Sequence, residues 1–313
     1  MELELWAEVS AAIAAVASTW PRHPRDPHST ALVVRVYLWA RLHDRPVCTT
    51  GPSARPARLH DRPVCWACVP AHWTRATLPS VLPDQSTMSR RTRRVDYWDF
   101  LQRVGRRLNG KPADAASLVQ RHVVDGKVLE LPNHSTDPDA TRGRGVSRQS
   151  LGYKLHAITS GRPMPDAFAI TPLDVCEKRM AGRMIKRIAG CGYLLGDALY
   201  DASWLFDVCH DHGRQLICPR AKPHTGEAHR YVSRHRRRVI ALLETPATVN
   251  RFGKDLYASR TDIERAFSQL VSFGSGLGPL PTWVRRIWRV RHWVMNKLLV
   301  NAARIRINRR NAG

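Results

Sequence analysis

The 313 residues predict an α/β protein, a mixed sheet flanked by helices and preceded by a mainly helical N-terminal domain. Three observations carry this. The first third has helical apolar spacing. Beyond residue 113 the chain turns to β-branched or alternating runs, and then strand and helix patterns alternate. Between the two textures Asn109, Gly110, Lys111 and Pro112 break any regular element. The helical region is therefore drawn at 1–112 and the sheet domain at 113–313.

Charge narrows the partners. Lys and Arg number 50 against 26 Asp and Glu, a net charge of +24. Such a chain repels itself unless a polyanion is present, and DNA is the commonest one. No run reaches the roughly 18–20 apolar residues of a membrane span, so no membrane partner is expected. The N-terminal "MELELWAEVSAAIAAVAS" has three Glu before its apolar part, the wrong charge for a secretory signal. Seven scattered Cys in a chain without an export signal predict reduced thiols and a cytoplasmic protein.

Within the helical region, helices are predicted over 1–20 and 30–42, separated by the Pro-rich "PRHPRDPHS". The nonapeptide "ARLHDRPVC" occurs at 40–48 and again at 57–65, a local duplication at 40–65 with loop chemistry between the copies. Cys65 and Cys68, with His60 and His72 nearby, have some look of a zinc cluster. A single CxxC without finger spacing favours buried structural thiols instead. Pro83 and Asp84 mark a turn, and Ser86 or Thr87 is the expected cap of one helix over 84–108. This is the candidate DNA-binding helix. Its start carries Arg90, Arg91, Arg93 and Arg94, cations suited to a phosphate backbone and base edges.

In the sheet domain, strands are predicted at 121–131, 151–159 and 166–173, then a helix at 175–190. A short strand within 193–201 delivers Asp197. A helix at 202–213 stops at Gly213, and a further strand follows at 214–219. Residues from about 220 to 250 form a basic, His-rich insertion, and a helix beginning after 255 holds Glu264. In the last segment Trp283, Ile287, Val290, Val294, Leu298, Ala302 and Ile305 make one helical stripe. The stripe is expected to pack on the sheet, with Arg285, Arg289 and His292 on the opposite side toward DNA.

Three β elements, then β–α–β, then a helix is the order of the RNase H-like fold. In that order the first and fourth strands are neighbours. Asp125 in the first and Asp197 at the end of the fourth then point to one spot, which Glu264 can reach. At about 5 Å and an effective dielectric of about 20, each carboxylate pair repels by roughly 3 kcal/mol. A divalent cation removes that cost, and hard oxygen donors suit Mg2+ or Mn2+. Two ions about 4 Å apart activate a water or a 3′-hydroxyl and stabilise the leaving oxygen at a phosphodiester. The plainer alternative makes Arg260 and Glu264 a solvated pair on a helix face, worth a few tenths of a kcal/mol. Among other acids, Asp201 is expected to be an N-cap, and Asp137 and Asp139 to sit in a loop.

The stretch "YASRTDIERAF" carries Tyr257, Arg260 and Glu264 on one helical face. Together with "VVDGKVLEL", "GYKLHAIT" and "GYLLGDALYDASWL", it resembles the DDE transposases of bacterial insertion sequences, in the group with the signature Tyr-x2-Arg-x3-Glu-x6-Lys. The resemblance covers roughly residues 120–308, and "LPDQSTMSRR" is similar to the N-terminal part of some relatives. Val271 stands where the signature has Lys, a residue the resemblance would place on the transposon end. The implied activity is metal-dependent cleavage and strand transfer of DNA at the element's ends. Asp125, Asp197 and Glu264 would be the catalytic metal ligands, holding Mg2+ or Mn2+ in two sites. Tyr257 and Arg260 would lie along the DNA, and the working form would be a homodimer or larger assembly. Two other outcomes are a DNA-binding relic without activity and a nuclease of the same fold that does not join strands.

Overall fold

The computed structural model describes residues 2–22, 26–43, 66–110, 119–145, 148–221, 232–261, 268, 277, 280–281 and 284–312. The duplicated segment at 40–65 lies mostly outside this set, and so does Cys65 of the CxxC. In chain order the N-terminal helices are α1 (Glu2–Ala17), α2 (Thr30–Leu42), α3 (Gln85–Arg91) and α4 (Val95–Asn109). There follow β1 (Gln120–Leu131), β2 (Thr141–Arg144), β3 (Gln149–Thr159), β4 (Ala167–Pro172), α5 (Glu177–Ile185) and β5 (Gly192–Leu195). The chain continues through α6 (Ser203–Asp211), β6 (Arg214–Ile217), α7 (Arg234–Glu244), α8 (Phe252–Ala258) and α9 (Ile287–Ala312). It divides into two units, Met1–Gly110 with Leu280–Gly313, and Lys111–Pro279.

The first unit is helical. Ser29 caps α2 by accepting from the Leu32 amide at 3.2 Å. The single helix expected over 84–108 is two helices. Asp84, rather than Ser86 or Thr87, is the cap, and its carboxylate accepts from the Thr87 amide at 2.8 Å. That bond, and a second from the Ser86 hydroxyl, hold its pKa down at about 2. The break comes at Thr92–Arg94. The Thr92 hydroxyl donates back to the Met88 carbonyl at 2.8 Å, and Arg94 is extended at φ −77, ψ 151 as α4 begins.

The apolar stripe of α9 meets α1, α2 and α4, not the sheet as the spacing suggested. Val290, Val294, Leu298 and Ala302 are buried there. With neighbours on more than one side, the opposite face is covered too. His292, expected toward solvent, is buried among the rings of Tyr97, Trp98 and Trp288. Arg306 donates to the carbonyls of Arg107 and Leu108 at the end of α4, where the Gly110 amide also reaches Arg107. Among the described residues no helix is long and apolar enough to cross a membrane.

The second unit is built on a six-stranded mixed sheet in the order β2-β3-β1-β5-β6, with β4 also paired to β3. Strand β1 runs antiparallel to β3 and parallel to β5. Both β2 and β4 use the outer edge of β3, β2 along Gln149–Gly152 and β4 along Tyr153–Ile158. Sequence missed β2, whose "TRGR" has no apolar alternation and too few residues to show a period. Val123, Leu194, Leu195, Leu205, Phe206 and Ile217 form the centre of the core between sheet and helices.

Part of the supposed basic insertion is a helix, α7, capped by the Ser233 hydroxyl on the His235 and Arg236 amides. Its Arg-rich start hid the few apolar residues, Val239 and Ile240, that it buries. Arg236 answers for Asp201, which is no N-cap. The buried Asp201 carboxylate accepts from Arg236 Nε at 2.6 Å and Nη2 at 2.8 Å, and from the Ala221 amide. Burial alone would raise its pKa. The Arg236 hydrogen bonds outweigh burial and hold it below the ordinary 3.8. Its ionised form is therefore favoured by folding, so the contribution is complete above about pH 4 and fades as pH falls through the folded value. Asp201→Ala strands a buried guanidinium and is expected to cost about 3–5 kcal/mol in urea unfolding at pH 7. The pair Asp201→Leu with Arg236→Met is expected to recover most of it.

Candidate active site

Strands β1 and β5 pair in parallel from Gln120 opposite Gly192 to Val123 opposite Leu195. Two residues further on each chain stand Asp125 and Asp197. The register thus sets the two carboxylates at matching positions on strands about 4.8 Å apart. Asp125 accepts from the Gly126 amide at 2.7 Å. Asp197 leaves the end of β5 and accepts from the Leu199 amide at 2.9 Å, capping the short turn Ala198–Tyr200.

Tyr200, at the end of that turn, is 1% exposed. Burial pushes its phenol well above the ordinary range, and the charges of Glu177, Asp125 and Asp197 add to the shift. The charges of three carboxylates therefore reach one buried hydroxyl. The third of them, Glu177, was not singled out from sequence. It opens α5, and its only sequence signal is an acid in the first turn of a helix, which is commonplace. Its carboxylate lies against Gly126, where a Cβ would come within 3.1 Å of it. Lys154 on β3 donates to it at 2.8 Å.

Tyr257 closes α8, with its ring against the core. Arg260 donates to the Tyr257 hydroxyl at 2.9 Å, and its guanidinium lies 5.7 Å from the ring centroid. Burial raises the Tyr257 phenol, Arg260 opposes that, and the charge of Asp197 adds to it. The charge of Asp197 thus reaches Tyr257. Glu264 and Val271 lie outside the described residues. Among the described residues no three His, Cys, Asp or Glu side chains converge on one metal position. What the described part supplies is a pair of carboxylates on neighbouring strands, the hard oxygen donors that Mg2+ and Mn2+ take.

Residues 120–279 match the family described as the transposase DDE domain. The chain belongs to this transposase family. The match spans the sheet unit from the first residue of β1. No curated protein and no solved structure gives a significant match. The mixed sheet of this transposase-family chain, its flanking helices and its helical N-terminal region agree with the RNase H-like architecture expected from element order.

The arginines expected on DNA divide into two kinds. Arg91 is 7% exposed and engaged inside the first unit, with Asp26 at 2.8 Å, Thr30 Oγ1 at 2.9 Å and the His28 carbonyl at 2.9 Å. Arg94 is held by Asp96 at 3.0 Å and Asp26 at 3.2 Å. Arg91 ties helix starts together inside the unit, a correction to its expected place on DNA, while Arg94 makes its ion pairs from an exposed position. The break between α3 and α4, which sequence did not reveal, is what turns Arg91 inward. Arg90 and Arg93 are exposed. Arg93 and Arg289 each place a guanidinium 5.0 Å from the Trp288 ring centroid. Arg285 is half-buried at the start of α9.

On the inner side of the sheet, His156 bonds the Thr171 hydroxyl at 2.8 Å through Nε2. Burial lowers its pKa from 6.5 to about 4, against the pull of Glu177 and with the push of Lys154. The folded chain then resists a proton that the unfolded chain binds between pH 6.5 and 4, so stability falls as pH drops through that window. One such group accounts for at most roughly 3 kcal/mol. His156→Gln is expected to flatten the fall of unfolding free energy between pH 6.5 and 4, measured by urea titration at several pH values.

Proposed function

We propose that the chain is a DNA transposase that cleaves DNA at the ends of an insertion sequence and transfers the freed strand to a target. The observation that carries this reading is the β1–β5 register, which aligns Asp125 with Asp197 in the unit that matches the transposase family. Asp125, Asp197 and Glu264 are the proposed cation ligands, and Mg2+ or Mn2+, in two positions, is the proposed cofactor. Bound there, the cation supplies an activated water or 3′-hydroxyl and charge stabilisation at the phosphodiester.

The chain's own groups do the rest. Asp125 and Asp197 keep fixed positions through backbone amides one and two residues on. Arg260, held by Tyr257, offers a guanidinium to the scissile strand's phosphate. Exposed Arg90 and Arg93 in the helical region, with Arg285 and Arg289, supply sequence-independent contact to the DNA backbone. The assembly is proposed to be a homodimer or larger, as joining two ends requires two sites. Val271 in the place of a Lys and the duplicated segment at 40–65 are the features that favour a DNA-binding relic.

The deciding experiment uses supercoiled plasmid carrying the DNA that flanks the gene, in Mg2+ or Mn2+. Wild type is expected to nick and join strands, while Asp125→Asn, Asp197→Asn and Glu264→Gln bind DNA and cut no faster than background. Cutting without joined products would make the chain a nuclease, and binding without cutting in either ion would make it a relic. Arg90→Ala and Arg93→Ala are each expected to weaken DNA binding alike on all sequences. Each should lower the slope of log affinity against log salt by about 1, read by fluorescence anisotropy. Arg91→Ala should instead lower thermal stability.

A further inference from the structure

We infer that Glu177 and Lys154 together set the charge felt at the Asp125–Asp197 site, and so tune its affinity for a divalent cation. This deepens the proposed function and rests on reading those two aspartates as cation ligands.

Glu177 reaches the site from a different element than either aspartate. Its carboxylate packs on the backbone of Gly126, the residue after Asp125, in space that only a glycine leaves open. The buried Tyr200 hydroxyl lies in the fields of Glu177, Asp125 and Asp197 together. Glu177 is paired to Lys154, itself only 8% exposed, at 2.8 Å. His156, two residues along β3 from Lys154, is neutral at pH 7 by burial and adds no charge. Around Glu177 are therefore Lys154 in direct contact, the neutral His156 opposite Gly126 on β3, the buried Tyr200, and Asp125 one residue from Gly126 on β1.

In this arrangement Glu177 and Lys154 cancel, so the site sees the two aspartates and whatever Glu264 adds. Removing one partner alone exposes the charge of the other at short range and low solvent access, where it is weakly screened. The two removals must then act with opposite sign. Without the Glu177 charge, the Lys154 ammonium repels an incoming cation. Without Lys154, the Glu177 carboxylate attracts it. Glu177 is thus a positioning and charge-setting residue that acts beside the ligands. A tie that served only to hold α5 on the sheet would cost stability in both cases and leave cation affinity alone.

The test is direct Mn2+ binding to the full chain, read from the electron paramagnetic resonance signal of free Mn2+, with no catalysis involved. Glu177→Gln is expected to raise the half-saturating Mn2+ concentration by about tenfold, and Lys154→Met to lower it by a similar factor. The double variant is expected within about threefold of wild type, which makes the coupling between the two positions explicit. If both single variants stay within about twofold of wild type, or both shift the same way, the inference is overturned. If Glu177→Gln does not fold, Lys154→Met decides alone, since tightening supports the inference and no change overturns it. Asp197→Asn is the control for the underlying reading. If it leaves Mn2+ binding unchanged, the cation site itself has been misplaced. If it weakens binding while the Glu177 and Lys154 variants do nothing, only the inference made here fails.

Discussion

The parallel pairing of β1 with β5 is the constraint on which the second unit depends. Parallel neighbours cannot be joined by a tight turn. The chain must leave β1, build β2, β3 and β4 on the far side, and cross back through α5 before β5 can form. That route does two things at once. It lays Asp197 beside Asp125 at the same level of the sheet, and it brings the first turn of α5 over Gly126. A one-residue slip of β5 would turn Asp197 toward the opposite face, and the buried Leu194 and Leu195 resist that slip because they would turn as well. Core packing and site geometry are therefore held by the same hydrogen-bonded ladder.

Charge is managed locally around that ladder. Asp201 is neutralised by Arg236, Glu177 by Lys154, and Asp197 spends one oxygen on a backbone amide. Each of these acids lies within a few residues of a strand end, where the sheet stops supplying backbone partners and side chains take over. The charges of Glu177, Asp125 and Asp197 all reach the buried Tyr200.

Sequence revealed the strongest periodic elements and the two aspartates on strands. Strands β1 and β3 stand where their residues put them, although β3 is buried on both faces from Gly152 to Thr159 rather than half-buried as its alternation suggested. What it hid has one kind of cause. Strand β2 is too short and too basic to carry a period, and α7 starts with arginines that mask the apolar pair it buries. The break between α3 and α4 depends on a Thr92 hydroxyl turning back on its own helix, which no spacing rule registers. Glu177 was passed over because an acid at a helix start is ordinary, and only the packing on Gly126 makes this one different. The partner of α9 was misassigned for a related reason. Its stripe states that one face is buried, and is silent on what buries it.

That last helix has a further consequence, for the order in which the protein is made. The chain enters the first unit at its N-terminus, leaves it after Gly110, and returns only at Leu280. During synthesis α1, α2 and α4 emerge early, but the helix that covers them is made only after the sheet unit. The whole sheet unit is translated in the interval and can close on its own strands first. The aromatic surfaces of Tyr97 and Trp98 wait uncovered through those residues until Trp288 and His292 arrive. A chain that stops short of residue 287 would thus keep its sheet and lose the interior of the helical unit, which ties the completion of the N-terminal region to the synthesis of α9.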